Sequence, residues 1–92
     1  MIKSFRNRET KALFETGRSL VFQSVEKIAL RKLEVLNAAT DLSELTINPG
    51  NKLEQLKGDG AGQHSIRINR QWRLCFKWSN GDAEDVEIVD YH

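Results

Sequence analysis

Residues 64–82 read His64-Ser65-Ile66-Arg67-Ile68-Asn69-Arg70-Gln71-Trp72-Arg73-Leu74-Cys75-Phe76-Lys77-Trp78-Ser79-Asn80-Gly81-Asp82. Apolar or ring-bearing side chains recur at every second position on both sides of Asn69-Arg70-Gln71, which is the period of strands with one buried face. For the two apolar faces to coincide, the loop between the strands must hold an odd number of residues. Asn69-Arg70-Gln71 is the simplest choice. It pairs Ile68 with Trp72, Ile66 with Leu74 and Arg67 with Arg73. Ser79-Asn80-Gly81-Asp82 then turns the chain into a third strand, in which Val86 and Ile88 continue the apolar face while Glu87, Val89 and Tyr91 take the other. The same parity applied to Asn80-Gly81-Asp82 sets Lys77 opposite Asp85 and Arg73 opposite Val89, with Tyr91 one step along. Strict alternation sends Asp90 to the opposite side.

Upstream the period is helical. Met1 to Phe5 alternates weakly and suits a short strand. Asn7 is placed to cap a helix over Arg8 to Thr16, with Gly17 as a left-handed stop. Ser24 opens a longer helix whose Val25, Ile28, Ala29, Leu33 and Leu36 share one face, with Lys27, Arg31 and Glu34 on the other. Thr40 to Leu45 reads as a helical turn and Asn48-Pro49-Gly50-Asn51 as a break. Lys52 to Lys57 reads as a strand ending in the glycine-rich turn Gly58 to Gly62. Two helices followed by a mainly antiparallel sheet give an α+β domain with the helices on one sheet face.

Ninety-two residues with 39% hydrophobic and 29% charged content leave room for one core, so residues 1–92 are expected to be one domain. The single cysteine, Cys75, excludes an intramolecular disulfide framework and fits a reducing compartment. The N-terminal sequence does not read as a signal peptide and no run is long enough to span a bilayer, so a cytoplasmic protein is expected. The net charge of +1 hides an asymmetry: residues 79–92 hold five acidic side chains and no Lys or Arg, leaving a net of +6 on residues 1–78. An acidic last strand against a basic body suits either polyanion binding at one place or internal ion pairing.

Two arginines opposite one another repel unless something neutralises them. Either a nearby carboxylate such as Glu87 does so, or a phosphate, whose oxygens match the guanidinium fork. With Tyr91 beside them, the second reading makes this face a site for single-stranded RNA. His64, Trp72 and Trp78 read as core on the apolar face, and Cys75 as a small filler. No His, Cys or carboxylate spacing resembles a metal site, and no cofactor motif is present.

Several segments together resemble a known family. Met1-Ile2-Lys3-Ser4-Phe5, Leu56-Lys57-Gly58-Asp59, Gly62 with Ser65-Ile66, Trp72-Arg73 and the final Asp90-Tyr91-His92 are similar to HigB toxins of the RelE-like toxin-antitoxin superfamily, from the first residue to the last. The resemblance implies a microbial-ribonuclease-like α+β fold. It also implies a metal-independent endoribonuclease that cleaves mRNA in the ribosomal A site, and a helix-turn-helix antitoxin of the HigA type. By position Lys57 and Arg73 match basic residues of the family's RNA cleft, and Asp90, Tyr91 and His92 match its C-terminal cluster. Arg67 and Lys77 join the substrate-binding set through the register. Glu54 stands where some relatives carry a catalytic histidine, either as a general base or as a solvated carboxylate. Metal-free cleavage needs a base for the ribose 2′-hydroxyl, cations on the phosphorane and an acid for the leaving 5′-oxygen. His92 is the expected proton carrier, with Asp90 orienting it or acting as base and Tyr91 stacking on a nucleotide. The alternative in another class is a non-catalytic module that binds RNA or a protein through the same basic face. A DNA-binding regulator fits less well, because neither helix is followed by a tight turn and recognition helix.

Overall fold

The computed structural model describes residues 1–57 and 62–90; Gly58 to Ala61 and the pair Tyr91-His92 lie outside the described residues. The elements follow in the order α1 (Arg8–Thr16), α2 (Glu26–Ala38), β1 (Glu54–Gln55), β2 (Gln63–Arg67), β3 (Trp72–Ser79) and β4 (Asp82–Asp90), with short 3₁₀ turns at Gln23–Val25, Leu42–Thr46 and Pro49–Asn51. The strands form one antiparallel sheet in the order β1-β2-β3-β4. Both helices pack on one face of it. The α+β expectation holds.

Local chemistry explains the helix limits. Asn7 accepts a hydrogen bond from the Thr10 amide, satisfying one of the free donors of the first turn, and Gly17 at φ 77° closes α1 through its own amide to the Leu13 carbonyl. Ala29, Leu33 and Leu36 form the buried stripe of α2 and meet Leu74, Phe76, Val86 and Ile88 of the sheet. Each fully buried large side chain there, such as Phe76 or Leu33, contributes about 1.5–3 kcal/mol of transfer free energy. Ile28 departs from expectation. It lies on the flank of α2, 37% exposed, because the sheet covers only the narrower stripe that starts at Val25 and Ala29. The strand expected over Lys52 to Lys57 shortens to Glu54–Gln55, since the Pro49 turn ends with Lys52 in the left-handed region at φ 45°.

The sheet register agrees with the parity argument: Arg67 pairs with Arg73, Ile66 with Leu74, and Arg73 with Val89. The last hairpin reaches that register by another route. Its turn is two residues long, Asn80 and Gly81, both at positive φ as a type I′ turn requires, and Ser79 pairs with Asp82. The extra residue sits in a bulge between Cys75 and Lys77, where Asp85 takes φ 50°, so Lys77 pairs with Glu84 and not with Asp85. The bulge is supported from outside the sheet. Ser4 Oγ accepts a hydrogen bond from the Asp85 amide at 2.9 Å. The expected N-terminal strand is reduced to two parallel bridges, Ile2 to Ala83 and Phe5 to Val86, which lay residues 1–6 along the outer edge of β4.

Candidate functional site

The sheet face turned away from the helices carries most of the residues singled out in the sequence. Cross-strand pairing places Glu54 beside Ser65, Ser65 beside Cys75 and Cys75 beside Glu87, with Arg67, Arg73 and Val89 in the next row and Gln63, Lys77 and Glu84 in the row on the other side. Paired residues point to the same face, and alternation keeps Arg73, Cys75 and Lys77 together. Glu54, Arg67, Arg73 and Lys77 are therefore brought to one surface. Lys57 is exposed at the end of the same β1 edge, one residue past the Leu56 amide that still bonds to the Gln63 carbonyl. Asp90 pairs with Trp72 and thus belongs to the helix side, at the exposed end of β4, where Gln71 Nε2 donates to its Oδ2 at 3.1 Å. Tyr91 and His92 lie outside the described residues.

The two opposed arginines differ in kind. Arg73 is only 6% exposed. Its Nε donates to Ser65 Oγ at 2.9 Å, and its Nη2 donates to the carbonyls of Lys52 at 2.6 Å and Ser65 at 3.2 Å. It fastens β3 to β2 and to the segment that leads into β1. Arg67 is half-buried, and its Nε donates to the Asn69 carbonyl at 3.1 Å. Glu87, the carboxylate expected to neutralise the pair, is drawn instead to Arg6, 3.7 Å away. Lys77 Nζ lies 3.5 Å from the Asp85 carboxylate, with both side chains about half exposed, so water screens this ion pair. Acidic residues of β4 thus take part in internal ion pairing, as one of the two sequence readings held.

Ser65 is the residue that sequence reading passed over. Once Ile66 is set opposite Leu74, Ser65 falls diagonal to Arg73 on the same face, so the register itself contained the signal. Cys75 lies between Arg73 and Glu87 and is buried; burial first and the Glu87 carboxylate second push its thiol up to about 11, against a partial opposing pull from Arg73. It stays a protonated filler. His64 faces the helix side and stacks on Phe76 with ring centroids 6.0 Å apart, and Trp72 and Trp78 pack edge-on against Phe22 and Phe76. All three serve the core. Among the described residues no group of three His, Cys, Asp or Glu side chains is arranged to hold a metal ion.

A family model described as the RelE-like toxin of the type II toxin-antitoxin system HigB matches residues 3–92. The chain belongs to the HigB-like toxin family. This HigB-like chain is 40% identical to Toxin HigB-1 of Vibrio cholerae over 85 residues, covering 90% of each protein. It is likewise 40% identical to the protein named Endoribonuclease HigB of Proteus vulgaris, with both chains covered in full. In fold it is similar to the toxin of the heterotetrameric YoeB-YefM toxin-antitoxin complex from Staphylococcus aureus, with a TM-score of 0.59, 21% identity and coverage of 100% and 98% of the two chains. The YoeB/ParE toxin from Agrobacterium tumefaciens superposes with a TM-score of 0.57 at 21% identity, over 99% of this chain and 100% of that one. Among the described residues no helix is long and apolar enough to cross a membrane.

Proposed function

We propose that the chain is a metal-independent endoribonuclease that cleaves mRNA on the ribosome in the cytoplasm and is neutralised by a HigA-type helix-turn-helix antitoxin. The observation that carries the reading is full-length similarity, at 40% identity, to a protein named as an endoribonuclease. The sheet face supports it with Arg67, Arg73 and Lys77 close together, Glu54 on the same surface and Lys57 at its edge.

In the reaction a base removes the proton of a ribose 2′-hydroxyl, the 2′-oxygen bonds to the adjacent phosphorus, and the bond from phosphorus to the 5′-oxygen breaks as that oxygen takes a proton. The products are a 2′,3′-cyclic phosphate and a 5′-hydroxyl. Arg73, Arg67, Lys57 and Lys77 hold the phosphate and spread its developing charge. His92 carries the proton, since imidazole titrates near neutral pH, Asp90 orients it or acts as base, and Tyr91 stacks on a nucleotide. Glu54 is the alternative base on the far side of the arginines. These roles rest on the family resemblance and on the shared face of the cations.

The test is to induce the chain in cells and map new 5′-hydroxyl ends in translated and untranslated copies of one transcript. Cleavage confined to the translated copy is expected, together with growth arrest that His92→Gln relieves. Intact messages and unchanged growth would overturn the proposal. Deletion of Asp90 to His92 separates it from a binding module, which would keep most of its function.

A further inference from the structure

Ser65 is fully buried on the sheet face that carries Arg67, Arg73 and Lys77. A buried hydroxyl costs free energy unless it is hydrogen-bonded, and alanine would fill the place without that cost. The Ser65 Oγ accepts from Arg73 Nε at 2.9 Å, while Arg73 Nη2 donates to the carbonyls of Lys52 and Ser65. One edge of the planar guanidinium is thus bound to the scaffold, and planarity fixes the direction of the rest. An exposed arginine can swing towards a phosphate; Arg73, buried as it is, holds an orientation set before the phosphate arrives. Two of its three acceptors are backbone carbonyls, which persist whatever side chains surround them. Ser65 Oγ is the side-chain acceptor of the set. Glu54 pairs with Ser65 across the β1 edge and lies two residues past Lys52, so the same contacts fix the guanidinium against the strand that carries this carboxylate.

We propose that Ser65 is a positioning residue for the cleavage reaction, its hydroxyl setting the orientation of the Arg73 guanidinium towards the scissile phosphate. The inference rests on the nuclease reading above and deepens it by separating two kinds of cation in the site. Lys57 and Lys77 are exposed and Arg67 is half-buried, so these side chains can follow the phosphate as its geometry changes, which suits holding the substrate. Arg73 cannot follow and is aimed at one arrangement of the oxygens. Donors fixed in advance where charge develops lower the barrier most, because nothing has to reorganise as the reaction proceeds. Without the Ser65 hydroxyl the guanidinium loses its Nε anchor and can tilt about its Nη2 contacts. A loss of aim shows in the rate at saturation and much less in binding.

The test compares the parent chain with Ser65→Ala, which removes the hydroxyl, and Ser65→Thr, which keeps it, each measured well below its own thermal midpoint. Single-turnover cleavage of a defined message on programmed ribosomes, followed against protein concentration, gives the maximal rate and the half-saturating concentration. Solvent exchange of the Arg73 Nε–H, followed by NMR, reports the bond itself. Ser65→Ala is expected to lower the maximal rate about 10- to 100-fold, as a small misplacement of a reacting group does, and to leave the half-saturating concentration within about twofold. Its Nε–H should exchange about tenfold faster than in the parent chain, or more. Ser65→Thr should keep the protection, and with it a rate within about threefold of the parent. A bond that serves stability alone would change exchange and midpoint and leave the rate untouched, and that outcome overturns the proposal. So does a loss seen in the half-saturating concentration with the maximal rate unchanged, or a rate in Ser65→Thr that falls while the Nε–H stays protected. A parent chain that cuts no message overturns the nuclease reading and the positioning role with it. A parent chain that cuts, with Ser65→Ala cutting as fast, overturns the positioning role alone.

Discussion

Replacing Arg73 by methionine removes the two short hydrogen bonds that its guanidinium makes to Ser65 Oγ and to the Lys52 carbonyl, and leaves those acceptors to find water in a largely buried place. Hydrogen bonds from a charged donor contribute about 1.5–3 kcal/mol each. Methionine regains part of the apolar burial of the arginine stem, and water can reach Lys52 from its exposed side, so the lower end applies and the expected loss is about 3 kcal/mol. In a domain of this length that lowers the thermal midpoint by roughly 15 °C. The assay is thermal and urea unfolding followed by circular dichroism, on Arg73→Met, Ser65→Ala and the double variant. Arg73→Met and the double variant should unfold close together, with a coupling of about 1 kcal/mol or more between the two sites. Arg67→Met, which among the described residues loses a bond to a carbonyl two residues away, should cost about 1 kcal/mol or less. A midpoint for Arg73→Met within a few degrees of the parent chain, or independent effects of the two substitutions, would refute the reasoning. Loss of RNA cleavage in an Arg73 variant is evidence of a catalytic role only when it is measured well below that variant's own midpoint.

Three further outcomes are expected. At pH 8 the Cys75 thiol, raised from 9.0 to about 11, should react with iodoacetamide about 100-fold more slowly than an exposed thiol of ordinary pKa, and equal rates in folded and unfolded protein would contradict this. The same raised pKa makes the folded state resist ionisation, so stability should fall as pH rises from about 9, where the unfolded thiol ionises, towards 11, and Cys75→Ala should flatten that decline. Gly81→Ala forces a side chain onto a residue at φ 81° and brings its Cβ within 3.1 Å of the Thr40 carbonyl, at an expected cost of about 1–2 kcal/mol by urea unfolding.

The topology of the sheet was legible because parity is a strong constraint. An odd number of residues between Ile66 and Leu74, and again between Arg73 and Val89, follows from which side chains must be buried, whatever the loops look like, and both pairings are observed. Where the odd residue goes is not a matter of parity. Asn80-Gly81 prefers a two-residue turn, and the extra residue moved into the strand at Asp85, where Ser4 can bind its amide; that support comes from the other end of the chain and leaves no trace near the bulge. The candidate site divides in the same way. That Glu54, Arg67, Arg73 and Lys77 share a face follows from alternation. That Arg73 is built into the scaffold while Arg67 is not depends on the Lys52 carbonyl, twenty-one residues away, and on a left-handed turn at Lys52 that only the folded chain reveals. The expectation for Asp90, on the side opposite Arg73, agrees with its pairing to Trp72.

Among the described residues two hydrogen bonds to side chains join the beginning of the chain to the last strand: Ser4 Oγ accepts from the Asp85 amide and Thr10 Oγ1 from the Ile88 amide, at sequence separations of 81 and 78. Contacts of such long range form late, because the intervening chain must first be brought round. During synthesis α1 therefore emerges long before the strand it packs against. A nascent chain lacks a complete sheet until Ile88 has been added and released into solution. The arginine-bearing sheet is therefore closed only after β4 has joined β3, with the beginning of the chain folded back along its outer edge.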